Sequence, residues 1–321
     1  MPTSVFKTKA IIRLPNFAGK LVDRIPKATV SFSRLPMGRW LKLGRLDLLV
    51  VSDGPIAFDA GALFGVTPRI MWEPLVGPLD EYHRLRAGLN CLVVRAAGKT
   101  VLVETGVGTK GGRAPAGIEL KETGRLLDAL AQEGIRPQDV DIVINTHLHF
   151  DHAGGNTRLA EGRVVPTFPR ARYFLPKGEW EEAQRPNERT RATYLAENFE
   201  PLMAARQVEL VEGEVEVVRG VRMVPAPGHT AHHMVVEVES EGELAIYIAE
   251  VAQHPIMLER LAWLSAFDVL PLVSLETKKR LVEKALEKRA LLIAVHAPFP
   301  GLGRLTLEEG KRRWLPLEGG G

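Results

Sequence analysis

His147-Leu148-His149-Phe150-Asp151-His152 is the stretch from which the rest of this chain is read. Three imidazoles and a carboxylate fall within six residues, directly after Asp141–Thr146, an apolar run that reads as a buried strand. Side chains alternate along an extended chain, so His147 and His149 project to the same side. Asp151 and His152 follow where the strand must end. Neutral imidazoles and carboxylates are ligands of zinc and of other borderline divalent metals, so the cluster reads as the core of a metal site holding two ions. The alternative is a polar turn with surface histidines. Against it, crowded imidazoles repel on protonation and a partly buried group of them needs partners.

Working outward, the other telling residues share one placement. His229 lies in the turn Pro227-Gly228-His229-Thr230, where Gly allows close backbone approach and Pro stiffens the chain. Glu250 ends the run Leu244–Ala249, and His296 ends Leu291–Val295. In layered α/β folds, ligand sites gather beyond the carboxyl ends of strands, which points to one shared crevice. For His232, His233 and His254 a structural or surface role weighs at least as much as a supporting one, and His83 reads as surface.

The pattern between these points alternates strands and helices. Leu46–Ser52, Leu89–Arg95, Thr100–Glu104, Arg172–Leu175, several short runs over Val208–Val224, Met234–Val238, Leu244–Ala249 and Leu291–Val295 read as strands. Ile118–Glu133, Lys177–Gln184, Glu188–Ala205 and Leu275–Arg289 read as helices, the last with Ser274 as N-cap and a Glu276–Arg280 pair. Gly54–Arg86 reads as a long aromatic loop of the kind that serves as a lid or binding loop. Two sheets packed face to face with helices outside satisfy this order, as one catalytic domain over residues 41–321 after an N-terminal arm over residues 1–40.

Bulk composition narrows the function. The chain has 321 residues, 45% of them hydrophobic and 25% charged, as in an ordinary globular protein. A formal charge of +3 gives no reason to expect a nucleic acid or a membrane surface as partner, and a small-molecule substrate is expected instead. Cys91 is the single cysteine, so an internal disulfide and a multi-thiolate metal site are both excluded; within its apolar run it reads as a buried structural thiol. No stretch reads as a signal peptide or a membrane span, and a cytoplasmic location is the expectation. The arm and the apolar loop leave room for a homodimer.

His147-x-His149-x-Asp151-His152, the Pro-Gly-His229-Thr turn, the acid at 250 and the terminal His296 together resemble the metallo-β-lactamase superfamily of hydrolases. The resemblance runs from about Leu89 to His296. It implies an α/β fold, an αββα four-layer sandwich of two mixed sheets flanked by helices, with a dinuclear site along one edge. It also implies that His147, His149 and His229 hold one metal, that Asp151, His152 and His296 hold a second, and that Glu250 bridges them. The metals implied are two divalent ions, zinc first, with manganese, cobalt or iron as alternatives. A metal-activated hydroxide would attack the substrate, and Asp151 would move a proton to the leaving group.

Two positions depart from the family pattern. The family has Asp, usually after Gly, where this chain has Ala249-Glu250, and Asp where this chain has Glu104. Each change lengthens a carboxylate by one methylene, which either disturbs the second metal position or is compensated by the other change. Within the superfamily, the chain looks most like the branch containing methyl parathion hydrolase and the N-acyl homoserine lactonases. Asn90, the aromatic loop and the ending His296-Ala297-Pro298-Phe299-Pro300-Gly301 carry that likeness. The lactonases carry a Tyr shortly after the bridging acid, whereas Val251-Ala252-Gln253-His254 has none. The expected activity is hydrolysis of an ester-type bond, lactone or phosphotriester, in an apolar small molecule. Phe64, Trp72, Phe150, Trp263, Phe267 and Phe299 are the candidate pocket walls. The rivals are a glyoxalase II-like thioesterase and a metal-binding protein in which Glu250 has disabled catalysis.

Overall fold

The structure, a computed structural model, describes residues 38–111 and 115–317. Of the proposed N-terminal arm, residues 1–37 lie outside the described residues, and Gly38–Trp40 open the first strand.

Among the described residues the first ten strands are β1 (Gly38–Leu43), β2 (Leu46–Asp59), β3 (Arg84–Ala96), β4 (Lys99–Val103), β5 (Ile118–Glu119), β6 (Ile142–Ile144), β7 (Thr157–Ala160), β8 (Arg163–Pro166), β9 (Arg172–Pro176) and β10 (Val208–Val211). Eight of them form one sheet in the order β1-β2-β3-β4-β6-β9-β10, with β5 added to β2, while β7 and β8 pair separately. The second sheet follows chain order through β11 (Val215–Val218), β12 (Val221–Pro225), β13 (Met234–Ser240), β14 (Glu243–Tyr247), β15 (Leu291–Ile293), β16 (Leu302–Glu308) and β17 (Lys311–Pro316). Pairs β4–β6, β6–β9, β9–β10 and β14–β15 are parallel and the rest of the two large sheets is antiparallel. Both sheets are therefore mixed.

The continuous apolar runs are explained by strands buried on both faces. Leu48, Val50, Leu92, Val94, Val101 and Val103 face Met223, Val236, Val238, Tyr247 and Ile293 of the other sheet. Their neighbours Leu49, Val51, Cys91, Val93 and Leu102 point outward, under helices α3 (Leu126–Gln132), α5 (Lys177–Gln184) and α6 (Glu200–Ala204). The outer face of the second sheet is covered by α7 (Ile256–Glu259) through Met257 and Leu258 and by α8 (Pro271–Glu287) through Leu281, Val282 and Ala285. The four layers run helix, sheet, sheet, helix. Cys91 is buried as expected, and burial pushes its thiol pKa well up.

Three expected helices are altered. Over Ile118–Glu133, residues 118–119 pair with β2 and the helix begins only at Leu126, because Gly124 adopts a left-handed φ of +82°. Glu188–Ala205 is a turn followed by a 3₁₀ segment and the short α6, with Pro201 at its start. The last long helix begins at Pro271, so Ser274 lies inside it rather than capping it, and Glu276 pairs with Lys279 rather than Arg280. The long aromatic loop is also shorter than expected. Strand β2 runs on to Asp59, α1 (Ala60–Phe64) and α2 (Arg69–Trp72) follow, and β3 resumes at Arg84.

A buried carboxylate ties this framework to the edge where the histidines lie. Asp53, at the irregularity of β2, accepts backbone N–H bonds from Val107 (2.9 Å), Gly108 (3.3 Å), Gly124 (3.1 Å) and Leu126 (2.9 Å). Against the loop so held pack Gly154 and Gly155, just after His152. A Cβ at either would come within 2.1–2.2 Å of the Val107 or Thr105 carbonyl oxygen, so only glycine allows the approach. Burial drives the Asp53 pKa up to about 6, against the pull of the four N–H donors.

Removing this acceptor strands several buried donors, so Asp53→Ala is expected to cost about 2–4 kcal/mol at pH 7.5 by urea denaturation. Because the folded pKa lies above the unfolded value of 3.8, the stability this group contributes is fully present below that value and lost as pH rises through about 6. The gap between wild type and variant should therefore widen on acidification, by roughly 1.4 kcal/mol per pH unit between about 6 and the unfolded value of 3.8. A gap that narrows instead would show that the four N–H bonds outweigh the burial.

Candidate metal centre

Every predicted site residue lies beyond a strand end. β6 stops at Ile144, and the next turn delivers His147, His149 and then α4 (Phe150–Ala153), which carries Asp151 and His152. Glu104, after β4 and at a left-handed φ of +64°, accepts from the Thr146 N–H (2.9 Å) and the Asn145 amide (3.2 Å) and so fixes that turn. His229 follows β12. Glu250 follows β14 in the turn Ala249–Val251, and His296 follows β15. Ala249 has φ +44°, a conformation that glycine adopts without steric cost; here its methyl packs into the core between the sheets.

The structure brings all seven together in two adjoining groups. His147, His149 and His229 each offer an atom within 4.8 Å of the others, and Asp151, His152, Glu250 and His296 do the same. None of the seven is more than 7% exposed. Glu104 forms a third, overlapping group with His147 and His152.

The hydrogen-bond inventory tests whether this donor set suits a cation. His296 Nδ1 donates to the Gly88 carbonyl (2.9 Å), so Nε2 is the ring nitrogen turned to the acids. That nitrogen meets Glu250 Oε1 and lies 3.6 Å from Asp151 Oδ2. An imidazole nitrogen and a carboxylate oxygen in contact need a positive charge at that point, which a ring proton or a bound cation supplies. His149 Nδ1 and His229 Nε2 stand 3.0 Å apart. His147 Nε2, His149 Nε2 and Glu250 Oε2 are buried without any hydrogen-bond partner. Imidazole nitrogens and carboxylate oxygens with unused lone pairs fit a divalent metal.

The titration directions agree. Burial, then the neighbouring imidazoles, hold His147 well below the ordinary histidine pKa; burial and His229 do the same for His149. For His152 burial also favours the neutral ring, but Asp151, Glu104 and Glu250 outweigh it and raise the pKa. Burial would raise the Glu250 carboxyl, yet His296, His229 and His152 carry it well below the usual carboxylate range. In the first group His229 is the exception: burial favours its neutral ring, but Glu250 and Asp268 outweigh it and raise the pKa.

Around the cluster stands a set of supports that the sequence did not reveal. Glu179 in α5 is fully buried and accepts from the Tyr194 hydroxyl (2.6 Å), the Thr230 hydroxyl (2.7 Å) and the Leu148 N–H (3.3 Å). It thereby joins the chain beside His147 and His149 to the chain beside His229. Asp268 accepts from His229 Nδ1 (3.3 Å). His233 is no candidate ligand: Nδ1 donates to the Ala226 carbonyl (3.0 Å) and Nε2 accepts the Glu250 N–H (3.2 Å). Asn90, noted in the sequence, donates to the carbonyls of Ala294 (3.0 Å) and Ala297 (2.8 Å) and so frames His296. His83 and His232 are exposed, and His254 caps a local turn by accepting from the Ile256 N–H.

The aromatic candidates divide. Phe64 stacks on Trp72 at 4.8 Å and meets Trp263 edge-on, inside the core under α8, so these three are packing residues and not pocket walls. Phe299 packs against the core between the sheets. Phe150 and Phe267 belong instead to a small separate cluster with Ile56, Phe58 and Leu89. Phe58, unforeseen in the sequence, presents its ring to the edge of His296 at 4.9 Å. An apolar wall therefore adjoins the second group.

Comparison with known proteins agrees with this geometry. Residues 87–245 match the model of the metallo-β-lactamase superfamily. An N-acyl homoserine lactonase from a Bacillus species is 28% identical over 180 residues, which are 56% of this chain and 64% of the relative. A probable metallo-hydrolase of Mycobacterium bovis is 25% identical, over 60% of this chain and 67% of its own length. The chain thus spans just under two thirds, 64%, of the lactonase it matches. Among solved structures, a probable metal-dependent hydrolase from Staphylococcus aureus superposes with a TM-score of 0.77 at 24% identity, over 87% of this chain and 99% of that one. AidC, a dizinc quorum-quenching lactonase, gives 0.76 at 21% identity, over 89% of this chain and 100% of that one. Both establish the likeness of fold.

The two glutamates that depart from the family pattern meet on one ring: His152 Nδ1 lies 3.7 Å from Glu104 Oε1 and Nε2 lies 3.3 Å from Glu250 Oε1. Shortening either to Asp should therefore be non-additive with shortening the other. In a double-mutant cycle read by urea unfolding of chelator-treated protein, a coupling of about 0.5–3 kcal/mol is expected. Additivity within about 0.3 kcal/mol would mean that the ring does not couple them.

Proposed function

Because the chain carries a metallo-β-lactamase superfamily domain, we propose that its buried cluster is a two-metal hydrolytic centre and that the protein opens lactones with an apolar substituent. The observation that carries the reading is the double group itself: seven buried donors in two adjoining sets, with His147 Nε2, His149 Nε2 and Glu250 Oε2 left unpartnered. His147, His149 and His229 would hold one ion, Asp151, His152 and His296 the other, and Glu250 would reach both. Zinc is the metal expected from the imidazole-rich donors. When bound, the two ions supply Lewis acidity, which lowers the pKa of water toward neutrality and polarises the substrate carbonyl.

The chain's own residues do the rest. Water adds to the lactone carbonyl carbon, the ring C–O bond breaks, and the departing alkoxide needs a proton. Asp151 is the residue that carries it: its carboxylate lies among His152 and His296 (3.7 and 3.6 Å) on the side of the second group, where it can take the proton from water and return it to that oxygen. Phe58, Phe150 and Phe267 seat the apolar substituent and keep bulk water from the reacting carbonyl. His233 and Glu179 hold Glu250 and His149 still through backbone contacts while the charge on the substrate changes.

A phosphotriester is the second reading, favoured by Gln253. Its side chain occupies the segment after Glu250 where the lactonases carry a Tyr, and it is turned toward Asp268.

Protein purified without added metal should contain about two equivalents of divalent ion by elemental analysis. Chelation should abolish turnover of a long-acyl homoserine lactone, and re-addition of zinc, manganese or cobalt one at a time should restore it. Two bound metals with no turnover of lactones, simple esters or phosphotriesters would defeat the reading.

Removing one ligand tests the site itself. His147→Ala should lose at least one metal equivalent and lower kcat/KM by about a thousandfold or more, ~4 kcal/mol of transition-state stabilisation. Retention of both metal and activity would show that the cluster is assigned wrongly.

A further inference from the structure

Asp268 is a buried carboxylate beside the cluster to which the chemistry above gives no part. Its Oδ1 lies 3.3 Å from His229 Nδ1 and accepts from Gln253 Nε2 at 3.0 Å. The same Gln253 nitrogen lies 3.2 Å from the Glu250 carbonyl oxygen and 3.3 Å from His229 Nδ1. A side-chain amide nitrogen has only two hydrogens. The two oxygens take both of them, so His229 Nδ1 must carry a hydrogen of its own and give it to Asp268. In the neutral ring, the form that binds a metal, this leaves Nε2 bare, the atom that faces His149.

Backbone contacts hold the two partners in place. The Val269 N–H donates to the His229 carbonyl (3.0 Å) and the Leu270 N–H to the Gly228 carbonyl (2.9 Å), so residues 268–270 run as a clip along the histidine turn. At Gly228 a Cβ would come within 2.3 Å of Ser274 in α8, so glycine lets the histidine turn lie close against that helix.

We propose that Asp268 is a positioning residue: it fixes His229 in the Nδ1–H form with Nε2 turned to the first metal group, and through Gln253 it ties that ring to the backbone of Glu250. The inference rests on the two-metal reading. An imidazole without such a partner samples both tautomers and rotates about its χ angles, and loss of partners of this kind weakens metal binding by roughly 10- to 100-fold. Asp268 also follows Phe267 directly, so the apolar wall and the support of the first metal group belong to one segment.

The test measures zinc binding to wild type, Asp268→Ala and Asp268→Asn by competition with a chromophoric chelator, with cobalt spectra as an independent view of the ligand field. In Asp268→Ala one of the two zinc ions should bind roughly 10- to 100-fold more weakly while the other stays within about threefold. The cobalt absorption should change with it. In Asp268→Asn most of the loss should be recovered, because both hydrogen bonds end on Oδ1 and the amide keeps an oxygen there. Unfolding of the chelator-treated proteins separates positioning from folding, and Asp268→Asn serves if Asp268→Ala does not fold. Zinc affinities and cobalt spectra unchanged in Asp268→Ala, or in Asp268→Asn an affinity as low as in Asp268→Ala, would overturn the proposal. Failure of the wild type to bind zinc or cobalt would instead overturn the two-metal reading beneath it.

Discussion

A bare imidazole nitrogen and a carboxylate oxygen repel in a dry site unless a positive charge lies between them, and the edge of this sandwich is built on that constraint. His296 gives its Nδ1 hydrogen to the Gly88 carbonyl, and its other nitrogen is held against Glu250, where a ring proton or a bound cation supplies the charge. The residues come from opposite sheets: Gly88 and Asn90 lie on β3 of the first, whereas Glu250 and His296 follow β14 and β15 of the second. Closing the sandwich therefore forces the contact. The apolar core between the sheets stabilises the closed form by far more than one buried polar pair can cost, at about 25 cal/mol per Å² of apolar surface removed from water.

What keeps the cluster from relaxing is a ring of buried carboxylates that accept from backbone, hydroxyl, amide and imidazole groups. Glu104 holds the Thr146 turn, Glu179 gathers Leu148, Tyr194 and Thr230, and Asp268 meets His229. Each accepts from N–H or O–H groups that would otherwise be buried without a partner, at about 1–3 kcal/mol apiece. Their number matters more than the strength of any one bond, because every loop that delivers a histidine is fixed at a second point. The histidines are placed by their neighbours' backbones, and small rotations of a ring are resisted by a network far larger than the ring.

How much of this could be read in the sequence follows from where the partners lie. His147 to His152 announce themselves because six adjacent residues carry the ligand types in one register, and His229 and His296 because each sits at a strand end with Gly or Pro beside it. Glu179 and Asp268 gave no such signal. Each looks like an ordinary acid on a helix or in a loop, and its partners lie up to 51 residues away. The misread helix over Ile118–Glu133 has a related cause. Leu120 matches a helical stripe with Leu127 and Leu130, but it packs with Ile118, Phe58 and Phe150 at the site, while Leu130 lies under the first sheet. Periodicity could not separate two apolar surfaces that follow one another along the chain. Only the left-handed Gly124 between them marks the change.

The longer acids at 104 and 250 take on a different meaning once His152 is placed. A carboxylate lengthened on one side of an imidazole would push the ring away, and with it the nitrogen that must face a metal. Here the lengthened acids flank the ring, Glu104 toward Nδ1 and Glu250 toward Nε2, and Thr105 clasps the His152 carbonyl through both its N–H and its hydroxyl. Opposed pushes on a ring whose backbone is fixed leave its position nearly unchanged. The extra methylene at Glu250 is then available to let Oε1 reach both His152 and His296 while Oε2 remains free. On this geometry the substitutions act as a pair, and a longer bridge is compatible with a centre that still holds two ions.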